Sequence, residues 1–318
     1  MTRRAPEVPE KVRLNALSHG AAGRAWLDGL GEQVAAYERR WDIRVAGACL
    51  GGTEGFVADA QTRDGQDAVL KIVMTGSDPK RQELRTLRAA DGKGYARLLR
   101  ADEEKNVLLI EKLGRQLHEC GFSDDVILFH ICSTLGIAWM PRQPDGALFA
   151  TGADRASEFK GVIERLWPSL GKPCRSDTYE MALDFASRRR RAFDPAHSVL
   201  VHGDAHEWNT LAVPWTSDSF KLVDPDGAFA EKAFDLAIPM REWPRGVPAE
   251  PLGQLRLRCA LLARLTGTGP QPIWEWSLLQ LVWNGLLLKE IGLEQPAATE
   301  FAMADALASA GETFDFEP

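Results

Sequence analysis

A chain of 318 residues with 45% hydrophobic and 26% charged residues is large enough for two lobes with a buried core. A net charge of −7 argues against a nucleic-acid binder; it is mildly consistent with a cationic small-molecule partner, although ordinary solubility is the better account of it. The five cysteines (Cys49, Cys120, Cys132, Cys174, Cys259) form no Cys-x-x-Cys pair, so neither a zinc ribbon nor a thioredoxin-type centre is suggested, and a reduced cytoplasmic protein is the simplest expectation.

Met1 to Lys11 is polar, with two prolines and no signal-peptide core, and no apolar run is long enough to span a bilayer, so no membrane partner is expected. Residues 1–41 read as a helical extension. Trp26, Leu30, Val34, Tyr37 and Trp41 recur at helical spacing, a stripe suited to covering a sheet. From Ile43 the period changes to that of strands. Ile43 to Leu50, Phe56 to Ala60 and Ala68 to Val73 are predicted as an antiparallel meander. Gly51-Gly52-Thr53-Glu54-Gly55 forms its first corner, and Asp64-Gly65 gives a hairpin turn.

Lys71 sits inside the third of these apolar runs, and a lysine in a buried strand needs a partner. Glu83, one turn into a predicted helix from Lys80 to Ala90, is the candidate. Asn106 to Ile110 is the next strand, followed by Glu111-Lys112-Leu113-Gly114. Beyond Gly114 the spacing predicts helices over Asp125 to Trp139, Ala156 to Trp167 and Asp177 to Phe193, the last with Asp177 as N-cap. The run Arg188-Arg189-Arg190-Arg191 reads as a solvated helix C-terminus, where cations suit the dipole. Further helices are predicted from Phe234, over Pro251 to Leu265, over Pro272 to Ile291 and over Ala297 to Ala310.

Two apolar runs each end in an acidic loop. Val199-Leu200-Val201 leads into His202-Gly203-Asp204-Ala205-His206-Glu207-Trp208-Asn209, and Phe220-Lys221-Leu222-Val223 leads into Asp224-Pro225-Asp226-Gly227. Read as neighbouring strands, they bring Asp204, Asn209 and Asp224 to adjacent ends. Two carboxylates and an amide are hard oxygen ligands that suit Mg²⁺, with phosphate oxygens and waters completing its shell. Asp226 reads as a turn former before Gly227.

The pattern His202-Gly203-Asp204 with Asn209 five residues on, then a strand ending in Asp224, resembles the catalytic and metal loops of kinase-like phosphotransferases. Gly203 in the second position resembles the aminoglycoside phosphotransferase family. Leu222-Val223-Asp224-Pro225 with Phe234-Asp235-Leu236-Ala237, and the leader Gly23-Arg24-Ala25-Trp26-Leu27, resemble its streptomycin 6-phosphotransferase and hydroxyurea kinase subgroup.

The resemblance implies an α+β, bilobal, protein-kinase-like fold. A small N-lobe of antiparallel sheet (42–113) would bind the nucleotide, and a larger, mainly helical C-lobe (114–318) would carry the catalytic loop and the acceptor. It implies ATP, with GTP left open, and Mg²⁺ as cofactors, and no nucleic-acid partner. Asp204 would be the catalytic base, Asn209 and Asp224 metal ligands, and Lys71, ion-paired to Glu83, the phosphate anchor. Gly52 and Thr53 would lie over the phosphates, and backbone atoms of Glu111 and Leu113 against the adenine. His202 and Asp235 would brace the loop.

Acceptor candidates are His206, Glu207, Trp208, Glu242, Trp243, Glu275 and Trp276, since acidic groups beside aromatic faces suit a cation. The acidic tail Glu312 to Glu317 could close over it. The implied activity is phosphorylation of a small, cationic acceptor, an aminoglycoside of the streptomycin type first, by a monomer or homodimer. Other acceptors (a tuberactinomycin peptide, hydroxyurea, a metabolic sugar) and a nucleotide-binding pseudokinase with a regulatory partner are the competing readings.

Overall fold

The structure, a computed structural model, describes residues 7–48, 55–74, 81–139, 149–216, 218–243, 246–248 and 250–312. The chain divides into two compact units, Met1–Gly114 and Arg115–Pro318.

In the first unit, helices α1 (Glu10–Ser18) and α2 (Gly20–Trp41) precede strands β1 (Ile43–Ala48), β2 (Gly55–Thr62) and β3 (Asp67–Val73), helix α3 (Arg81–Ala90), and strands β4 (Leu98–Asp102) and β5 (Val107–Glu111). The strands form one antiparallel sheet in the order β1-β2-β3-β5-β4. The Asp64-Gly65 turn closes the β2–β3 hairpin, with Gly65 at φ +86° and the Gly65 N–H donating to the Thr62 carbonyl at 3.0 Å.

Every residue of the α2 stripe is buried, in one cluster with Phe56, Ala58, Leu70, Ile72 and Leu109 of the sheet. At roughly 1.5–3 kcal/mol per large apolar side chain, burial outweighs the weak propensity of a helix containing Gly29 and Gly31. Gly23 has no room for a side chain, because a Cβ there would lie 1.6 Å from the Ala16 carbonyl oxygen of α1. A polar anchor completes the docking: Tyr37 donates to Asp102 at 2.8 Å, and Arg40 pairs with the same carboxylate. Burial and the neighbouring Asp102 push the Tyr37 hydroxyl well above its usual range. The helical leader is thus built into the core of the first unit.

The strand β4 is absent from the sequence reading. It lies at the sheet edge, is interrupted by a register shift between Leu98 and Arg100, and has no clean alternation of buried and exposed residues.

The second unit contains α4 (Asp124–Ala138), α5 (Gly152–Ser169) and α6 (Ser176–Arg191), then four short strands, β6 (Val199–Val201), β7 (Thr210–Ala212), β8 (Phe220–Leu222) and β9 (Ala228–Ala230). Helices α7 (Ala233–Arg241), α8 (Pro251–Thr266), α9 (Pro270–Glu290) and α10 (Glu294–Ser309) follow. The central helix α9 is buried almost all round from Ile273 to Val282 and packs on α5, α6, α7, α8 and α10.

Two expectations about α6 are corrected. The cap position is Arg175, and Asp177 lies in the first turn, where it accepts from Arg175 Nε at 2.9 Å. The arginine run is only half solvated. Arg188 and Arg189 turn inward to Glu275, whereas Arg190 and Arg191 are exposed. Among the described residues no helix is long and apolar enough to cross a membrane, and Cys120, Cys132, Cys174 and Cys259 are free thiols.

Candidate active site

The two apolar runs do not pair with each other, as the sequence suggested. β6 pairs with β9 (Val201 opposite Ala228), and β7 pairs with β8 (Thr210 opposite Leu222). Both pairings are antiparallel. The segment leaving β6 and entering β7 therefore lies beside the segment leaving β8 and entering β9, so the acidic loops 202–209 and 223–227 still become neighbours.

Backbone bonds stitch them together. The N–H groups of Asp226 and Gly227 donate to the His202 carbonyl at 2.9 and 3.1 Å, and Val223 N–H donates to the Asn209 carbonyl at 3.0 Å. Gly203 permits this approach: it sits at φ +87°, and a Cβ there would lie 3.0 Å from the Asp226 Cβ. The imidazole of His202 spans the loops. Its Nδ1 accepts from the Asp204 N–H at 3.1 Å, so the proton resides on Nε2, which donates to the Val223 carbonyl at 2.8 Å.

Beneath lies Asp235, fully buried in the first turn of α7. It accepts from the backbone N–H of His202 (2.9 Å) and Gly203 (2.7 Å) and from the Trp139 indole (2.8 Å). Burial pushes its pKa up, and His202 and these donors act against that shift.

Asp204 stands above this scaffold, its side chain 32% exposed. Its Oδ2 faces His206 Nε2 at 3.2 Å and Asn209 Nδ2 at 3.1 Å, and its Oδ1 faces Arg241 at 3.2 Å. Burial raises its pKa, but the His206 hydrogen bond and the charges of His206 and Arg241 outweigh it and hold the carboxyl below the usual range. Burial likewise depresses His206, and the bond to Asp204 with the nearby acids reverses this, leaving His206 raised. An ionised carboxylate in this setting can accept or orient a hydroxyl proton.

The metal expectation can be tested on the donors present. Asn209 spends its amide NH₂ on the Asp204 carbonyl (3.0 Å) and carboxylate, which turns Oδ1 the other way. Asp224 follows the β7–β8 ladder end next to Asn209, with an exposed side chain on a backbone at φ +56°. Among the described residues no group of three or more His, Cys, Asp or Glu could hold a metal alone. One amide oxygen and one carboxylate fit Mg²⁺, which keeps several waters and phosphate oxygens.

In the first unit, Lys71 on β3 lies 2.8 Å from Glu83 of α3, both side chains being nearly buried. Glu111 commits its N–H to the Arg97 carbonyl at 2.9 Å and its carboxylate to the Arg97 N–H, and Leu113 is buried. Gly52 and Thr53 lie outside the described residues.

The acceptor candidates separate. Trp208 is exposed and stacked on His118 at 3.6 Å, and Glu242 is half-buried beside Arg241. Trp243 is half-buried, with the Arg258 guanidinium 3.7 Å from its ring centroid. Glu207 is 3% exposed, and burial raises its pKa, so it faces the interior instead of an acceptor. Glu275 is corrected outright: it is buried in an ion pair with Arg189 at 2.6 Å. Its neighbour Trp276 is fully buried. In the acidic tail, Glu312 pairs with Arg188 at 2.5 Å, and the residues after it lie outside the described ones.

Sequence reasoning missed Arg241, which reaches Asp204 across 37 positions from the far end of α7. It also missed Glu300 of α10, whose Oε2 is sealed from solvent without a hydrogen-bond partner. Glu300 feels both Arg241 and Glu242, and burial pushes its pKa up to about 7. No spacing rule flags either residue.

A two-unit α+β chain with a five-stranded antiparallel sheet, a mainly helical second unit and this loop pair is a phosphotransferase of the protein-kinase-like fold. It belongs to the aminoglycoside/hydroxyurea antibiotic resistance kinase family, whose sequence model matches residues 40–292. It is 28% identical to the hydroxyurea phosphotransferase of Kitasatospora aureofaciens, over 95% of this chain and 86% of that one. It is 27% identical to the streptomycin 6-kinase of Streptomyces griseus, over 92% and 93%. Among solved structures, a spectinomycin phosphotransferase in complex with ADP and spectinomycin shares the fold at a TM-score of 0.54, with 11% identity over 88% of this chain and 97% of that one.

Proposed function

We propose that this phosphotransferase moves the γ-phosphoryl group of ATP, with Mg²⁺, onto a hydroxyl of a small cationic molecule, an aminoglycoside of the streptomycin type first among candidates. Asp204 takes the hydroxyl proton as the acceptor oxygen bonds to the γ-phosphorus. The bond to the β–γ bridging oxygen breaks, and ADP leaves. Asn209 Oδ1 and Asp224 would hold the metal, which would supply neutralisation of phosphate charge. Lys71, kept straight by Glu83, binds the α- and β-phosphates. The first unit is then the nucleotide-binding part, and the second the catalytic and acceptor part. Phosphoryl transfer asks a protein mostly for positioning and charge neutralisation; the loop pair would supply the first, and Lys71 with the metal the second.

The observation that carries this reading is the Asp204 carboxylate, part-exposed, kept ionised, and beside an Asn209 amide whose oxygen is turned away from it. The part-exposed Glu242 supports a cationic acceptor, as do the streptomycin 6-kinase relatives. The hydroxyurea phosphotransferase relative keeps a neutral acceptor as the second reading. Use of ATP fits a cytoplasmic enzyme, as do the unpaired thiols.

Phosphate transfer to a panel containing streptomycin, other aminoglycosides, a tuberactinomycin peptide, hydroxyurea and sugars, read by product mass, tests the acceptor. Asp204→Ala should keep the fold and lose roughly 10²–10⁴-fold in kcat. Undiminished turnover in that variant would refute the assignment of the base.

A further inference from the structure

Helix α7 meets the candidate loop twice. At its first turn Asp235 fixes the loop backbone, and at its last turn Arg241 reaches the Asp204 side chain. Between them every residue from Ala233 to Met240 is buried, so the two contacts are held at a fixed separation.

The last torsion of an aspartate side chain is broad and two-fold, so a carboxylate held by one oxygen can still turn. Oδ2 of Asp204 is held by His206 and Asn209, while the donor facing Oδ1 is Arg241. We propose that Arg241 is a positioning residue, whose guanidinium locks the second oxygen of Asp204 and so fixes the carboxylate plane that receives the acceptor hydroxyl. The inference rests on Asp204 being the base.

The surroundings of Arg241 are built to hold it still. Its side chain is 12% exposed, and its buried Nε makes no hydrogen bond but lies 3.5 Å from the Glu242 carboxylate in a loose ion pair. The chain at this point is pinned from behind by Arg258, which donates to the Pro239 carbonyl at 2.9 Å and to the Glu242 carbonyl. Arg258 is itself buried against the Trp243 ring and 3.7 Å from Asp124. Burying a guanidinium costs several kcal/mol unless its partners are well placed. Here the partners are the proposed base and one further acid, Glu242.

Arg241→Ala and Arg241→Lys should be assayed with a working acceptor, beside Asp204→Ala, with melting curves for each. Arg241→Ala is expected to lower kcat on the order of 10- to 100-fold, the value of one charge-assisted hydrogen bond, and to leave the nucleotide KM unchanged. Lysine should restore part of the loss, and millimolar guanidinium should restore part of it in Arg241→Ala while doing nothing for Asp204→Ala. Wild-type kcat in Arg241→Ala, with Asp204→Ala dead, overturns the inference and leaves the base in place. A loss that follows the melting temperature and responds to neither lysine nor guanidinium also overturns it, by assigning Arg241 to the fold. Full activity in Asp204→Ala removes the base itself, and the inference with it.

Discussion

The second unit holds two clusters of acids and bases that look alike in composition and differ in use. One gathers Arg188, Arg189, Glu231 and Glu275 around α6 and α9; the other gathers Asp204, His206, Arg241 and Glu242 around the loop pair. In the first, the central Glu275 is 3% exposed and closed in by Arg189, Arg188 and the Gln271 amide. Trp276 ties Glu231 into the same group at 2.9 Å. In the second, the central carboxylate remains a third exposed, and its donors come from two separate segments, its own loop and the end of α7. A cluster that neutralises itself away from water braces helices, whereas one whose central acid stays ionised and within reach of a ligand can do chemistry.

The largest effect that separates them is Glu275→Gln. Removing one partner of a buried ion pair leaves the other uncompensated, and roughly 3 kcal/mol of stability should be lost. Glu231, still 3.3 Å from Arg189, keeps the loss from being larger. Urea unfolding measures it. Turnover per folded molecule should stay at the wild-type value; a fall in kcat like that expected for Arg241→Ala would mean that the clusters are not distinct.

Such distinctions were only partly legible in the amino-acid order. The α2 stripe could be read because five large apolar residues keep one helical period, and burial follows period directly. The Lys71–Glu83 pair could be read because a lysine in a buried strand needs an acid nearby, and the closeness of the two acidic loops because each follows a short apolar run. The partners of the four small strands could not. Ala228-Phe229-Ala230 is three residues with no alternation, and it pairs with β6 only because the β7–β8 hairpin folds out between them. Glu242-Trp243 and Glu275-Trp276 are the same dipeptide, yet one lies beside Arg241 and the other inside the helical core. Local sequence does not specify which helix face meets the interior when, as on α9, nearly every face does.

A smaller effect concerns the edge of the second cluster. Glu300 has a folded pKa of about 7, raised by burial above its ordinary 4.5. The folded protein therefore holds this proton more tightly than the unfolded chain does. The stability this confers is complete below pH 4.5 and is lost as the pH rises to about 7. Glu300→Gln cannot lose that proton, so its melting temperature should gain on wild type between pH 5 and pH 7.5 and then run parallel. Curves that stay parallel throughout would remove the buried acid from the account of this region.

The smallest effect should come from Trp208, and it probes the ligand side of the comparison. The ring is 50% exposed and lies on His118, and the Trp208 carbonyl accepts from Gln116 at 2.8 Å. That bond is a backbone contact and survives removal of the ring, so Trp208→Ala should lose little more than the His118 stack, about 1 kcal/mol. An exposed aromatic face one residue from Asn209 has little to offer the fold and much to offer a flat or cationic acceptor. If the acceptor stacks there, its KM should rise roughly 2- to 10-fold, while the nucleotide KM and the saturating kcat stay put. An unchanged acceptor KM would move acceptor recognition away from this loop and toward the acids that surround Arg241.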